Sequence, residues 1–281
     1  MGIAEQFVKD KKLSELPIDP IHIASNLLHI EVVAKDSSKK GVSGMLLRLG
    51  DQYAIAYATH IESDGFQRFS VAHEIGHFLL PGHMDQVLPA GTTMHESRSG
   101  FVSEDRYELE ADHFAAGLLM PDPLFSKAMN KAGEGLRAVE SLAALCQTSL
   151  TSTALRLVQC SDVPVAMVMS AGGRIEYCFM SGPLKEMRGL DWIRKNVPVP
   201  AGTATHRFNQ NPKMIAQAAR VDATTSIQDW FGGHRNLNMT EEVVGLGNYG
   251  KVLTILSLID DPEEYDEKED LEESWTPRFR R

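Results

Sequence analysis

Apolar positions in the first 160 residues follow two different periods. Residues 30–34 (IEVVA), 43–49 (SGMLLRL) and 53–58 (YAIAYA) are short runs rich in β-branched and large apolar side chains. They predict three strands, the first two separated by the polar turn KDSSKKG. Helical spacing frames them. Around residues 17–30, Pro20 stands near the first turn and Ile21, Ala24, Leu27 and Leu28 share one side. A second helix is predicted over 66–80, with Phe69, Ala72, Ile75, Phe78 and Leu79 for the core, stopped by PGH at 81–83. Residues 84–104 show little periodicity and read as a loop. A third helix covers 105–120 (DRYELEADHFAAGLLM) and ends at Pro121.

Further on, residues 141–160 have the shape of a helix-turn-helix. Leu142, Ala143 and Leu145 belong to the first helix, Thr151 to Thr153 offer capping hydroxyls, and Ala154, Leu155 and Val158 form the second buried face. From about residue 163 the period becomes that of strands. VPVAMVMS and RIEYCFMS flank AGG at 171–173 as a hairpin, and residues 241–260 supply a second strand pair. Between the pairs lie a helix near 212–220 and a loop-rich stretch with Trp192 and Trp230. The fold class is α+β. The expected divisions are a first domain over 1–130, a helix-turn-helix-like segment over 131–161, an α+β domain over 162–260 and an acidic tail over 261–281.

Composition narrows the function classes. Of the formal charge of −10, residues 260–273 (DDPEEYDEKEDLEE) alone carry −9. The rest of the chain is nearly balanced, which gives no electrostatic case for nucleic acid. A run of ten acids cannot pack together, so disorder is expected there. The end of the chain, with Trp275, Phe279 and three arginines, resembles a docking peptide or serves only to solubilise. Three widely spaced cysteines exclude a disulfide framework and a cysteine zinc site. No apolar run approaches membrane-spanning length, and the N-terminus has no apolar leader. A cytoplasmic location is expected.

The chemistry concentrates in VAHEIGH at 71–77. His73 and His77 are four residues apart, on one side of a helix one turn above the other, with the Glu74 carboxylate beside them. That spacing suits two neutral imidazoles on a zinc ion and a base next to its open position. A third ligand must come from elsewhere, and two residues compete. His83 has the metzincin spacing, but that geometry needs a sharp reversal at Leu80, where a left-handed leucine would be strained. Glu108 is favoured. On the 105–120 helix it lies roughly 40° from Asp112, so one carboxylate can hold metal while the other accepts a ligand histidine's N–H. Glu110, on the opposite side, would point away, and replacing His83 should leave metal binding largely unchanged.

RFSVAHEIGHFLL (68–80) together with ELEADHFAAGLLMP (108–121) resembles the ImmA/IrrE family of metallopeptidases, and IDPIHIA at 18–24 extends the likeness. The resemblance implies a zincin-like domain with a small antiparallel sheet and a gluzincin-like site. One Zn2+ would be held by His73, His77 and Glu108, with Glu74 as the base and Asp112 behind the ligands. His60, His83, His95, Tyr57 and Tyr107 are candidates for oxyanion or substrate contacts, and strand 53–58 for an edge that receives an extended peptide. Some relatives carry a GAF-like sensor domain in the C-terminal region. The implied activity is endopeptidase cleavage of a helix-turn-helix repressor of the XRE type after a stress signal. The competing reading is a non-catalytic DNA-binding or sensor regulator that keeps the metallopeptidase scaffold. Direct nucleic-acid binding is not expected, since the second helix of the pair offers only Arg156, Gln159 and hydroxyls.

Overall fold

The computed structural model describes residues 2–36, 41–60, 63–98 and 104–259; the acidic tail, with Trp275 and Phe279, lies outside the described residues. Contacts group into two units, one ending at Arg156 and the other beginning at Leu157.

The N-terminal unit opens with α1 (Gly2–Asp10) and α2 (Pro20–His22), which runs into a π-helical turn (Ile23–Leu27). Asp19 starts α2 by accepting the Ile21 and His22 amides, and Pro20 gives up no donor in the first turn. Then follow β1 (Glu31–Lys35), β2 (Gly44–Leu49), β3 (Gln52–Ala58), α3 (Asp64–Leu79), α4 (His83–Val87), β4 (Met94–Ser97), α5 (Arg106–Leu119), α6 (Asp122–Ala132), α7 (Gly135–Cys146) and α8 (Leu150–Cys160).

The sheet runs β1-β3-β2-β4. It is mixed rather than antiparallel, because β1 pairs parallel with β3 while β2 runs antiparallel to both β3 and β4. The reason lies in the side chains. β3 buries Ala54, Ile55 and Ala56 and takes an interior position, whereas β1 is largely exposed and takes an edge. β3 therefore is not the edge that could receive a peptide. The other edge is β4, within the stretch expected to be a loop. At four residues and with only Ser97 buried, it carries too little hydrophobic pattern to be seen in sequence.

One face of the sheet carries Leu46 and Ile55 towards α3, and Tyr53 meets Phe78 edge to face at 5.2 Å. α3 crosses α5 closely at Gly76. A Cβ there would lie 3.2 Å from both the Ala111 Cα and the Phe114 Cβ. An alanine there would have to move Ala111 or Phe114 by a few tenths of an ångström, so glycine lets the helices that carry HEIGH and ELEAD approach closely.

The paired helices α7 and α8 are present, joined through Gln147 at φ 54°. Ser149, rather than the threonines after it, caps α8 by accepting the Ser152 amide at 3.1 Å. Arg156, the one basic side chain of the second helix, is buried. Its Nε donates to the Met120 carbonyl at 3.0 Å and its Nη2 to Glu5 at 3.1 Å, so it ties α8 to the end of α5 and to α1.

In the C-terminal unit, β5 (Val165–Ala171) and β6 (Arg174–Met180) form the expected hairpin around Gly172 and Gly173, both with positive φ. Next come α9 (Gly182–Glu186), α10 (Ala204–Asn209), α11 (Pro212–Ala216), β7 (Arg220–Ser226), α12 (Ile227–Phe231), β8 (Asn238–Gly245) and β9 (Lys251–Leu258). The antiparallel sheet has the order β6-β5-β9-β8-β7. Trp230, Phe231, Met239 and Leu256 pack on it, while Trp192 is exposed. Buried Glu241 accepts the Ala204 and Thr205 amides and so anchors the start of α10. The edge strand β7 escaped the sequence pattern, because RVDATTS is polar and little of it is buried.

Candidate metal centre

Ser63 begins α3 by accepting the Phe66 amide, and every residue from Phe69 to His77 is buried. Two imidazoles and a carboxylate thus lie in the interior, where polar groups need partners. Asp105 begins α5 by accepting the Tyr107 and Glu108 amides, which presents Glu108 and Asp112 to α3. His73 Nδ1 donates to Asp112 Oδ1 at 2.8 Å. His77 Nδ1 lies 3.1 Å from His83 Nδ1.

With both Nδ1 atoms engaged, the two Nε2 atoms face each other at 3.0 Å. Glu108 closes the triangle, Oε2 at 3.4 Å from His73 Nε2 and Oε1 at 3.3 Å from His77 Nε2. Two ligands at zinc–nitrogen or zinc–oxygen bond lengths around a tetrahedral ion are separated by about 3.3 Å, so the three side chains fit a zinc-sized cation. One further observation agrees: Glu108 Oε2 is buried with no hydrogen-bond partner.

Among themselves these groups share charge unevenly. Burial opposes charge on His73, but its hydrogen bond with Asp112 and the nearby Glu108 carboxylate outweigh it and raise its pKa to about 10. His77 is pushed down to about 4 by burial, against the pull of Glu108. Burial works to raise Glu108, yet its contacts with His73, His77 and His95 hold it well below the usual carboxylate range. The pocket is built to keep Glu108 anionic.

Glu74 is fully buried, and neither carboxylate oxygen has a hydrogen-bond partner. Burial pushes its pKa up to about 7, with the neighbouring His73 drawing it down. Its space is provided by Gly44. In the ladder Gly44 stands between Tyr57 on β3 and Ser97 on β4, and a Cβ on it would lie 2.5 Å from Glu74 Oε1. An isolated glycine inside a strand is a sequence sign of close approach, and here it was the signal that could have found this contact.

The remaining residues singled out in the sequence divide clearly. His95, on β4, is at the site: its Nε2 lies 2.9 Å from Glu108 Oε1. Tyr107 sets its ring against His83, centroids 5.0 Å apart. With His95, Arg98, Gln86 and Glu108 it lines an open cleft of about 300 Å³. Tyr57 shares the sheet face of Gly44, whereas His60 is exposed beyond β3. His83 is fully buried and closer than expected. Leu80 stays extended at φ −75°, and the reversal comes at Gly82, φ 78°, which turns His83 back under His77. Glu110 does not point away: it meets His83 Nε2 at 3.0 Å.

A small mixed sheet, an HExxH helix and an acidic helix crossing it define a zincin-like domain. Residues 26–158 match the family model of the IrrE N-terminal-like domain. The chain is 32% identical over 108 residues to the radiation response metalloprotease IrrE of Deinococcus radiodurans, a stretch covering 38% of this chain and 32% of that protein. It is 33% identical over 121 residues to the protein of the same name from Deinococcus deserti, covering 43% of this chain and 42% of that one. The aligned stretches thus span less than half the length of these relatives. A Mycobacterium tuberculosis transcriptional regulator superimposes with a TM-score of 0.58 over 91% of this chain and 74% of its own, at 14% identity, a likeness of fold alone. Over residues 26–158 the chain is thus similar to the ImmA/IrrE family.

Proposed function

We propose that the chain is a zinc-dependent endopeptidase that cuts one protein at a defined site, with an XRE-type helix-turn-helix repressor as its substrate. The observation that carries this reading is the convergence of His73 Nε2, His77 Nε2 and the Glu108 carboxylate beside the unpaired Glu74. His73, His77 and Glu108 are assigned as ligands of one zinc ion. Bound zinc supplies Lewis acidity, lowering the pKa of water and polarising a carbonyl. Glu74 then accepts a proton on its carboxylate and passes it to the leaving amine. Asp112 holds His73 with its Nε2 lone pair outward.

His95 and Tyr107, at the cleft, are the side chains assigned to the substrate or the developing oxyanion. An extended peptide would add to the outer edge of β4, which among the described residues pairs only with β2. A regulator that merely kept the scaffold would have no use for Glu74, since an unpaired buried carboxylate costs stability. The C-terminal unit is assigned to sensing and substrate selection, as in a GAF-like domain, and the cytoplasm is the expected compartment. Among the described residues no helix is long and apolar enough to cross a membrane.

Metal analysis of the purified chain tests the reading. About one zinc per chain, lost on His77→Ala and on Glu108→Ala, supports it. A well-folded chain that takes up no metal overturns it.

A further inference from the structure

Two histidines are assigned to the metal, and each needs its distal nitrogen fixed. His73 has Asp112 for this purpose. The partner of His77 is another imidazole, an arrangement that works in only one way. For His77 Nε2 to offer a lone pair, the proton of the neutral ring must sit on Nδ1. Among the described residues the hydrogen-bond partner of that nitrogen is His83 Nδ1, at 3.1 Å, which must then accept. The proton of His83 is thereby placed on Nε2, which points at Glu110 Oε2, 3.0 Å away. Glu110 is itself held by Arg106, whose Nε donates to Oε1 at 2.6 Å. Each donor in the row meets an acceptor, and the row ends on a carboxylate paired with a guanidinium.

Such a row can form because of local features of the chain. Gly82 supplies the left-handed turn that brings His83 back, α4 begins there, and Tyr107 packs edge to face with the ring at a 79° interplanar angle. The His83 ring is fully buried, so no water competes for its Nδ1. It is also on the far side of His77 from the Nε2 triangle, and among the described residues the cluster suited to a metal comprises His73, His77 and Glu108 without it.

We propose that His83 and Glu110 form a positioning relay for His77, fixing its tautomer and ring orientation, so that the two histidines of HEIGH are supported by different devices: a direct carboxylate for His73 and an imidazole–carboxylate pair for His77. This rests on the metal-ligand reading given above, and it reverses the expectation that His83 is neutral for metal binding. Partners of this kind are worth about tenfold to a hundredfold in metal affinity.

The test measures the zinc dissociation constant of the full chain by competition with a chromophoric chelator. Variants are His83→Phe, which keeps the ring's bulk against Tyr107 but removes the acceptor, and His83→Gln, which can accept from His77 and donate to Glu110. Glu110→Ala, on a side chain 39% exposed, guards against loss of folding at the buried site. The relay predicts affinity weakened about tenfold to a hundredfold in His83→Phe, weakened in Glu110→Ala, and largely restored in His83→Gln. Wild-type affinity in a folded His83→Phe protein overturns the relay while leaving the ligand reading intact. Equal loss in the Phe and Gln variants also overturns it. A wild-type chain that binds no zinc removes the ligand reading and the relay together.

Discussion

A methyl group added at Gly44 meets the Glu74 carboxylate rather than the backbone. In Gly44→Ala the new Cβ would sit 2.5 Å from Glu74 Oε1, 3.2 Å from its Cγ and 3.3 Å from its Cδ. Favourable contacts between non-bonded heavy atoms begin near 3.5 Å, so the closest pair overlaps by about 1 Å. Neither side can yield easily, since β2 is held by β3 and β4 and Glu74 is enclosed on α3. Overpacking of this kind costs about 1–3 kcal/mol. The assay is a double-mutant cycle in denaturant with chelator present, which needs no substrate. Glu74→Ala removes all three contacted atoms. In that background Gly44→Ala should be neutral or slightly stabilising, because alanine restricts the unfolded chain more than glycine does. The expected coupling is thus about 1–3 kcal/mol, within the range found for touching residues. The same cost in both backgrounds would refute the reasoning and place the constraint in the strand itself.

Glu74→Gln should give a folded protein that keeps its zinc yet no longer cuts its substrate, checked by metal analysis beside a cleavage assay; an amide cannot take up the proton. For Asp112→Ala, chelator competition should show zinc weakened about tenfold to a hundredfold. Cys146, buried and with its thiol pushed up to about 11 by desolvation, should resist iodoacetamide at pH 8 in the native chain and react once urea unfolds it. Rapid native alkylation at that residue would count against its burial. Arg156→Ala should lower stability by about 1–3 kcal/mol in thermal or urea unfolding, because it leaves the Met120 carbonyl without its donor.

The helices that carry the centre were legible because their side chains repeat with a clear period and their ends are marked. Pro81 and Pro121 follow them, whereas the caps that start them, Ser63 and Asp105, were not read from the sequence. Spacing alone put Glu108 and Asp112 on one face of a helix. β4 and β7 were not legible, since a short or polar edge strand owes its conformation to the neighbour it pairs with rather than to its own pattern. The interior place of β3 was half visible in its apolar run, but the parallel pairing of β1 needs knowledge of what separates β1 from β2 in space. His83 and Glu110 were misjudged for a related reason. Angular arithmetic on α5 says which way Glu110 leaves its own helix, but not that Gly82 folds a histidine back to meet it.

Arg156 shows how a residue can change meaning between sequence and fold. On the second helix of a pair it is the side chain one would assign to a phosphate, and its charge is the only positive one between Leu150 and Cys160. In the structure its guanidinium faces inward, against the carbonyl of Met120 and the Glu5 carboxylate on α1. Met120 follows α5, the helix of Glu108 and Asp112, and it is buried too. Arg156 therefore satisfies the carbonyl that ends the helix carrying Glu108 and Asp112. The second helix of the pair cannot both read a DNA groove with Arg156 and keep that carbonyl satisfied, since a buried acceptor without a partner costs about 1–3 kcal/mol. The resemblance to a DNA-binding motif is one of shape. In this chain Arg156 ties the second helix to the residue that follows α5 and to α1.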